Sequence, residues 1–535
     1  MNGDETWGLM DVEAAERVLR LAFTPEQRGA LKARLEEHVS NVEAMRAVAL
    51  SSETLPAATF DPHVAGALLP EGESIDASDE TLSDPWGRDV TSIEEATFAS
   101  VAGLAAAYRR GVLRPSDVTE AFLRRIADCD GAVQAIVTPL AERARAHARA
   151  ADEVFERGEP AHALTGIPYL AKDLLAVPDA PTTWGVGVRE SVVEAGTAEV
   201  VARLDAAGAI LLAKASLGEL AMGDVWFGGQ TRNPWNLEEG SSGSSAGSAA
   251  GVAAGFATLA VGSETMGSIL SPSTRCGVVG LRPTFGRVSR HGAMPLAWSL
   301  DKLGSMGRSV SDVAVMLEVM AGRDDRDPAT RDVAFPWRTA VQQDAEAARL
   351  RVGIPEDLLA DPGREVQAFL EAWGDVGAEV RPVTLPDLPG RVVMTLLMVE
   401  AASVFDRWVR GREMDSLVQQ GEQAWPNQLR AARFVSGVDY AHAQRVQRLM
   451  RDAMDALFDE VDAIVTPSLH EDAMLLGNAA GVPALTLPVE RSEAGRPGGS
   501  VSILARAFHE HRAVAVAAAV ERRLVPLGTP PSCPV

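Results

Sequence analysis

The pattern of apolar and polar positions predicts helices alternating with strands through most of the chain. Residues 197–207 have helical periodicity, Gly208 ends that helix, and residues 209–213 form a short apolar run typical of a buried strand. The run from Gly166 to Leu175 has the same strand-like character. This β-α-β order predicts an α/β fold.

The second half of the chain continues the alternation. Strands are predicted at residues 349–354 and 462–467, with a helix within residues 365–377. Long helices are predicted over residues 392–458, and Pro426 interrupts them.

The first 50 residues read as a helical extension. The segment Thr24-Pro25-Glu26-Gln27 supplies an N-cap, a proline at the first helical position and a capping-box glutamine. An apolar face follows at Leu31, Leu35, Val39 and Val42. That face must pack against the rest of the chain or against a partner.

Composition then divides the chain into four parts. Residues 51–91 are rich in proline, serine and acidic residues without a clean period, so we predict a linker after the extension at residues 1–50. We predict a catalytic domain over residues 92–525 and a loose tail at residues 526–535. Pro115 opens an early helix of that domain, and its apolar face consists of Phe122, Leu123 and Ile126.

The charge and the termini limit the class of protein. With 50 basic and 74 acidic residues, a net charge of −24 argues against nucleic-acid binding, which needs clustered Lys and Arg. The acidic N-terminus does not resemble a signal peptide, and no long uncharged apolar run follows, so we predict a cytoplasmic protein with no membrane partner. Cys129, Cys276 and Cys533 form no CxxC pair, which favours a reducing compartment.

The densest concentration of small residues lies between Gly240 and Gly280. It contains Ser244 and, 24 positions later, Ser268. Glycines let consecutive N–H groups point at one spot, so this segment suits an oxyanion site. The alternative is a flexible Gly/Ser linker, but the apolar run from Val252 to Val261 has to be buried and disfavours it.

Lysine is rare in this chain, and its positions are therefore informative. The four lysines are Lys32, Lys172, Lys214 and Lys302. An arginine cannot lose its proton, whereas a lysine in a dry pocket can act as a base. Lys172, inside a strand-like run, is a candidate for that role, and the alternative is a strand-end lysine whose head is in water. Lys214 also lies in an apolar, strand-like run, and its sequence context gives no stronger evidence that it acts as a base.

Taken together, these segments resemble the amidase signature family. GIPYLAKDLL, at residues 166–175, resembles the family's lysine motif, and SGSSAGSAAGVAAG, at residues 242–255, resembles its glycine-serine motif. Residues 263–314 resemble the nucleophile region, and the resemblance covers roughly residues 95–525. It implies a large mixed, twisted β-sheet with helices on both faces. The N-terminal helices look similar to the small helical subunit or extension that accompanies some members.

The resemblance also implies roles for individual residues. Ser268 would be the nucleophile, Ser244 the bridging serine after a cis peptide at Gly243, and Lys172 the general base of a Ser-cisSer-Lys triad. The backbone N–H groups that would hold the oxyanion belong to Thr265, Met266 and Gly267.

Two positions depart from the family pattern Asp-x-Gly-Gly-Ser-Ile-Arg. Met266 replaces a glycine without removing its N–H, and Leu270 replaces the arginine, which removes a positive charge near the site. Trp226 and Phe227 lie on a loop before the serine cluster, where they either line a pocket or pack on the surface. With Leu270 they predict an apolar pocket for small neutral amides, carbamates or esters.

Other chemistries are disfavoured. His291 follows the serine region, but no GxSxG elbow surrounds Ser268, so a Ser-His-Asp triad is not predicted. The chain has no HExxH motif and no Cys/His pair at ligand spacing, so we predict no metal and no other cofactor.

Two functions remain open. The first is an amidase that acts alone on small molecules. The second is a glutaminase-type subunit of an amidotransferase complex, in which residues 10–50 stand in for a partner or recruit one. A non-catalytic relative is disfavoured because all three chemical residues are present, and a homodimer is left open.

Overall fold

A mixed sheet of 11 strands forms the centre of the protein in the computed structural model. The structure describes residues 8–19, 21–22, 24–25, 28–29, 60–70, 82, 84–342, 344–491, 497–525 and 528–530. The described strands are β1 (Ile136–Pro139), β2 (Pro168–Lys172), β3 (Ile210–Ala215), β4 (Val225–Trp226), β5 (Gly229–Gln230), β6 (Arg232–Asn233), β7 (Asn236–Gly240), β8 (Leu259–Glu264), β9 (Val279–Arg282), β10 (Lys302–Gly307), β11 (Val352–Pro355), β12 (Val380–Val383), β13 (Ala463–Pro467), β14 (Ala484–Arg491) and β15 (Pro497–Ala505). Strands β4 and β5 form a separate two-stranded sheet, and β6 and β7 form another.

Helices cover this sheet. They are α1 (Leu9–Leu19), α2 (Ile93–Ala96), α3 (Val101–Arg109), α4 (Pro115–Val133), α5 (Ala141–Glu156), α6 (Glu199–Ala206), α7 (Ala246–Ala253), α8 (Leu270–Cys276), α9 (Val310–Met320), α10 (Trp337–Gln342), α11 (Asp344–Ala347), α12 (Glu356–Ala360), α13 (Arg364–Gly374), α14 (Val392–Val404), α15 (Asp406–Arg410), α16 (Trp425–Ala432), α17 (Gly437–Glu460), α18 (Glu471–Ala480) and α19 (Glu510–Glu521). Single 3₁₀ turns lie at Gly187–Arg189, Glu219–Ala221 and Glu413–Ser416.

The strand order of the sheet is β1-β3-β2-β8-β10-β9-β14-β15-β13-β11-β12. Strand β2 is parallel to both β3 and β8, and β11 is parallel to both β12 and β13. The strands between these two parallel groups pair antiparallel. The predicted α/β class with a large mixed sheet is therefore confirmed.

Strand β2 and helix α7 form the buried base on which the site is built. All five residues of β2 are buried, as expected for a parallel strand covered on both faces. All eight residues of α7 are buried too, and seven of its positions are Ala, Gly or Ser, which allows close packing. The candidate lysine and the serine cluster therefore lie in the interior of the sheet and helix layers.

Several local predictions hold in detail. Helix α4 has Pro115 at its first turn and buries Phe122 and Ile126. Gly208, with a φ of 77°, follows the end of α6 and precedes β3. The helical stretch of residues 392–458 is divided into α14 to α17, with Pro426 in the first turn of α16.

The N-terminal region is described only in part. Helix α1 lies within the predicted extension, whereas the apolar face predicted at residues 31–42 lies outside the described residues. In the region predicted as a linker, the Phe60 ring contacts that of Phe285 edge to face, with centroids 5.3 Å apart. The Trp86 indole donates to the Leu524 carbonyl at 3.2 Å. These contacts attach parts of residues 60–91 to the domain surface.

Cys276 is a buried free thiol, and Cys129 is disulfide-bonded. Among the described helices, none combines the length and the hydropathy needed to cross a membrane.

Candidate active site

The amine of Lys172 lies at the end of β2 among hydroxyl groups. Its Nζ donates to Oγ of Ser244 at 2.8 Å, to Oγ of Ser245 at 3.0 Å and to Oγ of Ser263 at 2.9 Å. The side chain is completely buried. The alternative of a strand-end lysine with its head in water is therefore wrong.

Burial dominates the protonation of Lys172. It lowers the pKa well below the 10.5 of an ordinary lysine, although the negative charges of Asp301 and Glu264 act in the opposite direction. The atoms in contact with Nζ are neutral oxygens, which accept from an ammonium but can also donate a hydroxyl proton to a neutral amine. The environment of Lys172 therefore suits a base.

The surroundings of Lys214 are different, although it too is fully buried. Its Nζ lies 2.7 Å from a carboxylate oxygen of Asp173 and donates to the Pro181 carbonyl at 3.0 Å and to the Thr182 hydroxyl at 3.1 Å. Burial lowers the pKa of Lys214, but the Asp173 carboxylate favours its charged form. Lys214 therefore fits a structural ion pair.

The loop that carries Ser244 is held by close backbone packing. The peptide bond between Gly243 and Ser244 is cis, as the family resemblance implies. A Cβ on Gly243 would lie 1.8 Å from the carbonyl oxygen of Gly223, so only glycine fits here. The Asp224 carboxylate accepts from the N–H of Ser242 at 2.9 Å and fixes the residue before the glycine.

Two hydrogen bonds join this loop to the segment of Ser268. The N–H of Ser245 donates to the carbonyl of Ser268 at 3.1 Å. The hydroxyls of Ser242 and Ser271 pair at 2.8 Å, and Ser271 lies in the first turn of α8. The structure thus brings together the backbone segments of the two candidate serines, with Lys172 on one side.

A buried carboxylate holds the turn between Ser268 and α8. The N–H groups of Ile269 and Leu270 donate to the same oxygen of Glu264, at 2.9 and 3.0 Å. Gly267 has a φ of +88°, which favours glycine there. The conformation of residues 264–270 is therefore set by one acidic side chain and one glycine.

A cavity borders Ser263 and Thr265, and its lining includes neither Lys172 nor the two candidate serines; Ser263 links it to Lys172 through its hydroxyl. The apolar side chains that line it belong to Leu174, Ala221, Met294, Leu296, Trp298 and Leu303. Arg290 and Arg326 also line it, but both are already paired. Arg290 pairs with Asp327 at 2.9 Å, and Arg326 pairs with Asp324 at 2.8 Å.

The three residues predicted for the pocket lie outside the lining of this cavity. Trp226 is buried and contacts Phe227 edge to face, with ring centroids 5.0 Å apart. Leu270 lines a smaller cavity together with Arg282. His291, by contrast, lines the larger cavity.

Sequence reasoning expected Ser245 to hydrogen-bond its loop rather than react, but it missed the contact of Ser245 with Lys172 and the supporting roles of Ser263, Asp224 and Glu264. Ser245 and Ser263 contact Lys172, and Asp224 and Glu264 fix the two serine loops. Ser245 lies in the glycine-serine motif at residues 242–255, so the motif itself indicated that this residue is close to the site. Asp224 gave none, because its contact to Ser242 spans 18 positions of the chain.

The fold and these motifs agree with comparisons to known proteins. The family model described as Amidase matches residues 117–480, which is more than half of the chain. The chain therefore belongs to the amidase family, whose members hydrolyse carbon-nitrogen amide bonds.

Individual relatives point to two kinds of protein. The chain is 34% identical over 461 residues to the A subunit of the glutamyl-tRNA(Gln) amidotransferase of Alkalilimnicola ehrlichii, covering 77% of this chain and 94% of the relative. It is 35% identical over 470 residues to the same protein of a Roseiflexus species, covering 78% and 94%. Among solved structures, the native peptide amidase of Stenotrophomonas maltophilia has a TM-score of 0.72 and 30% identity, covering 81% of this chain and 98% of that one.

The different surroundings of the two lysines predict different effects on stability. Lys214→Met leaves the Asp173 carboxylate buried without its cation, so the free energy of unfolding should fall by about 3–5 kcal/mol. Lys172→Met leaves only hydroxyls, which can pair with one another, so the loss should be about 1–2 kcal/mol. Denaturant unfolding of both variants measures the difference. An equal or larger loss for Lys172→Met would contradict the assignment.

Proposed function

We propose that the protein is an amidase that works through an acyl-enzyme, with Ser268 as nucleophile, Ser244 as proton relay and Lys172 as general base. The observation that carries the proposal is the 2.8 Å contact between Nζ of Lys172 and Oγ of Ser244 in a fully buried environment. A lysine with a lowered pKa and a hydroxyl partner is able to start a proton relay.

In the proposed first step, neutral Lys172 takes the proton of Ser244 while Ser244 takes that of Ser268. Oγ of Ser268 then forms a bond to the carbonyl carbon of the amide. Ser244 returns a proton to the leaving amine as the carbon-nitrogen bond breaks. Water hydrolyses the resulting ester by the same relay, which restores Ser268 and releases the acid.

The oxyanion that forms in these steps would be held by backbone N–H groups. The proposed donors are those of Thr265, Met266 and Gly267. Each well-placed donor contributes roughly 3 kcal/mol to stabilising the transition state. Support comes from the turn held by Glu264 and from the positive φ of Gly267, because a rigid loop needs no rearrangement during the reaction.

For the substrate, we propose small neutral amides, with carbamates and esters as related substrates. The cavity that borders Ser263 is mainly apolar, and the two arginines in its wall are engaged with Asp327 and Asp324. A carboxylate that entered would lose its hydration without gaining a free cation. An aryl or alkyl group would gain about 25 cal/mol per Å² of buried apolar surface.

A second candidate function is a glutaminase-type subunit of an amidotransferase complex. The relatives that are named as subunits of glutamyl-tRNA(Gln) amidotransferase favour it. The peptide amidase at a similar level of identity favours an enzyme that acts alone. The paired arginines of the cavity wall are the reason for ranking the second candidate lower.

A fluorophosphonate should label Ser268, because the relay activates that hydroxyl most strongly. Ser268→Ala should abolish labelling. Ser248→Ala is the matched control, since Ser248 is a buried serine of the same cluster that donates to the Val261 carbonyl and has no proposed role. Peptide mapping that finds the label on another serine would refute the assignment.

The base role of Lys172 predicts both a mutational and a pH effect. Lys172→Arg should inactivate the protein as fully as Lys172→Ala, because a guanidinium stays protonated. In the unchanged protein only neutral Lys172 starts the relay, so kcat/KM should rise with pH and level off well below pH 10.5, since burial lowers this pKa. Substantial turnover by Lys172→Arg would exclude the role.

The two candidate functions predict opposite substrate preferences for the purified chain. An anilide of a neutral acid should have a kcat/KM at least about 100-fold above that of free glutamine, with no added partner. The measurement is steady-state hydrolysis of both compounds. A preference for glutamine, or activity only with a partner protein, would move the amidotransferase function ahead.

A further inference from the structure

Trp298 has the largest apolar side chain among the described residues that line the cavity bordered by Ser263. The other large apolar side chains of that lining are those of Leu174, Met294, Leu296 and Leu303. An aromatic surface and an aliphatic one favour different ligands, because rings pack on rings in offset or edge-to-face geometry. Trp298 can therefore make this cavity prefer an aromatic group.

The indole of Trp298 has a hydrogen-bond partner on helix α17. It hydrogen-bonds the hydroxyl of Tyr440, which also accepts from the amide of Gln444 at 3.1 Å. An indole N–H is a donor only, so this contact uses the one polar group of the side chain. The rest of the ring therefore offers an apolar surface and requires no hydrogen bond from a ligand.

A buried carboxylate fixes both Tyr440 and the residue after Trp298. Glu400, on α14, is completely buried. One of its oxygens accepts from the hydroxyls of Ser299 at 2.6 Å and Tyr440 at 3.0 Å. The other oxygen accepts from the N–H of Ser299 at 2.9 Å. Helices α14 and α17 are thereby connected to the loop that carries Trp298.

The backbone of Trp298 is held as well. Its carbonyl accepts from a guanidinium nitrogen of Arg290 at 2.7 Å, and Arg290 is itself paired with Asp327 at 2.9 Å. Hydrogen bonds thus fix both the main chain and the ring. A fixed aromatic surface binds a ligand with a smaller loss of conformational entropy than a side chain that is ordered only on binding.

We propose that Trp298 forms the wall of a subsite for an aromatic ring of the substrate, and that Glu400 and Tyr440 are positioning residues for that wall. The proposal rests on the amidase function given above and narrows its substrates to amides that carry an aryl group. Neither Glu400 nor Tyr440 lines the cavity, so both act through the orientation of the indole.

Two pairs of amides test the subsite. Phenylacetamide and cyclohexylacetamide carry the ring on the acyl side, and N-benzylacetamide and N-(cyclohexylmethyl)acetamide carry it on the amine side. In at least one pair, Trp298→Leu should lower kcat/KM of the aromatic member relative to its cyclohexyl partner by about 5-fold. The change should lie in KM with kcat little altered, because the ring contact is the same in the bound substrate and in the transition state.

Tyr440→Phe tests the positioning role, since it removes the hydroxyl and keeps the ring. The preference for the aromatic member should fall by about 2-fold in the same pair, again through KM. Tyr108→Phe is the matched control, because Tyr108 is buried, lies outside the cavity lining and donates to the Gly166 carbonyl at 3.2 Å. It should leave the preference unchanged. An equal fall in Tyr108→Phe would make the loss a general effect of removing a tyrosine hydroxyl and would overturn the proposal.

The remaining outcomes separate the subsite from the proposed function. Unchanged preferences in folded Trp298→Leu protein would overturn the subsite, whereas labelling of Ser268 and amide turnover would still support the amidase function. Tyr440→Phe removes a single oxygen, and an unchanged preference in that variant would overturn the proposal if Trp298→Leu does not fold.

A protein that hydrolyses none of the four amides would refute the proposed function. Calorimetric binding of the same amides then replaces KM as the measurement. The subsite still requires that the unchanged protein binds an aromatic member and that Trp298→Leu weakens this binding relative to the cyclohexyl partner. Absence of that binding, or of that loss, would overturn the subsite as well.

Discussion

The site depends on Lys172, a buried amine whose hydrogen-bond partners are hydroxyls and a backbone carbonyl. Three hydroxyls surround Nζ of Lys172, and they come from the cis-serine loop and from the end of β8. Burying an ammonium is unfavourable unless a counter-ion is buried next to it. Burial therefore stabilises the neutral amine of Lys172 relative to the charged form. The rest of the layered fold keeps water out and holds those hydroxyls in place.

Three other buried cations are instead paired with carboxylates. Lys214 contacts Asp173, Arg282 contacts Glu264, and Arg287 contacts Glu510 at 2.7 Å, all in the interior. Each of these pairs joins separate segments of the chain. Replacing one member by a neutral residue would leave the other as a buried charge without a counter-ion. Lys172 is close to the charges of Asp301 and Glu264 but contacts neither, so its amine remains able to exchange a proton.

The similarity to amidotransferase subunits and to a peptide amidase fits a fold in which the reacting groups are separate from the residues that select substrates. The proposed reacting groups lie on β2, on the loop before α7 and on the loop before α8, whereas the cavity is lined largely by residues 290–303. Substitutions in that lining can change the substrate without altering the lysine and the serines. About a fifth of the chain lies outside the alignments with those relatives.

The sequence by itself determined the class of fold, the family and the three residues proposed for the chemistry, because periodicity and motif spacing are local properties. Helix α4, the order α6 then β3, and the glycine-serine segment could all be predicted in this way. Tertiary structure alone decided which lysine has hydroxyl neighbours, since the contact between Lys172 and Ser244 spans 72 positions. It also decided that Arg282 contacts Glu264, and that Trp226 and Phe227 do not line the cavity bordered by Ser263. Long-range contacts between side chains have no signature in a single sequence, because each partner is compatible with many others until the chain has folded.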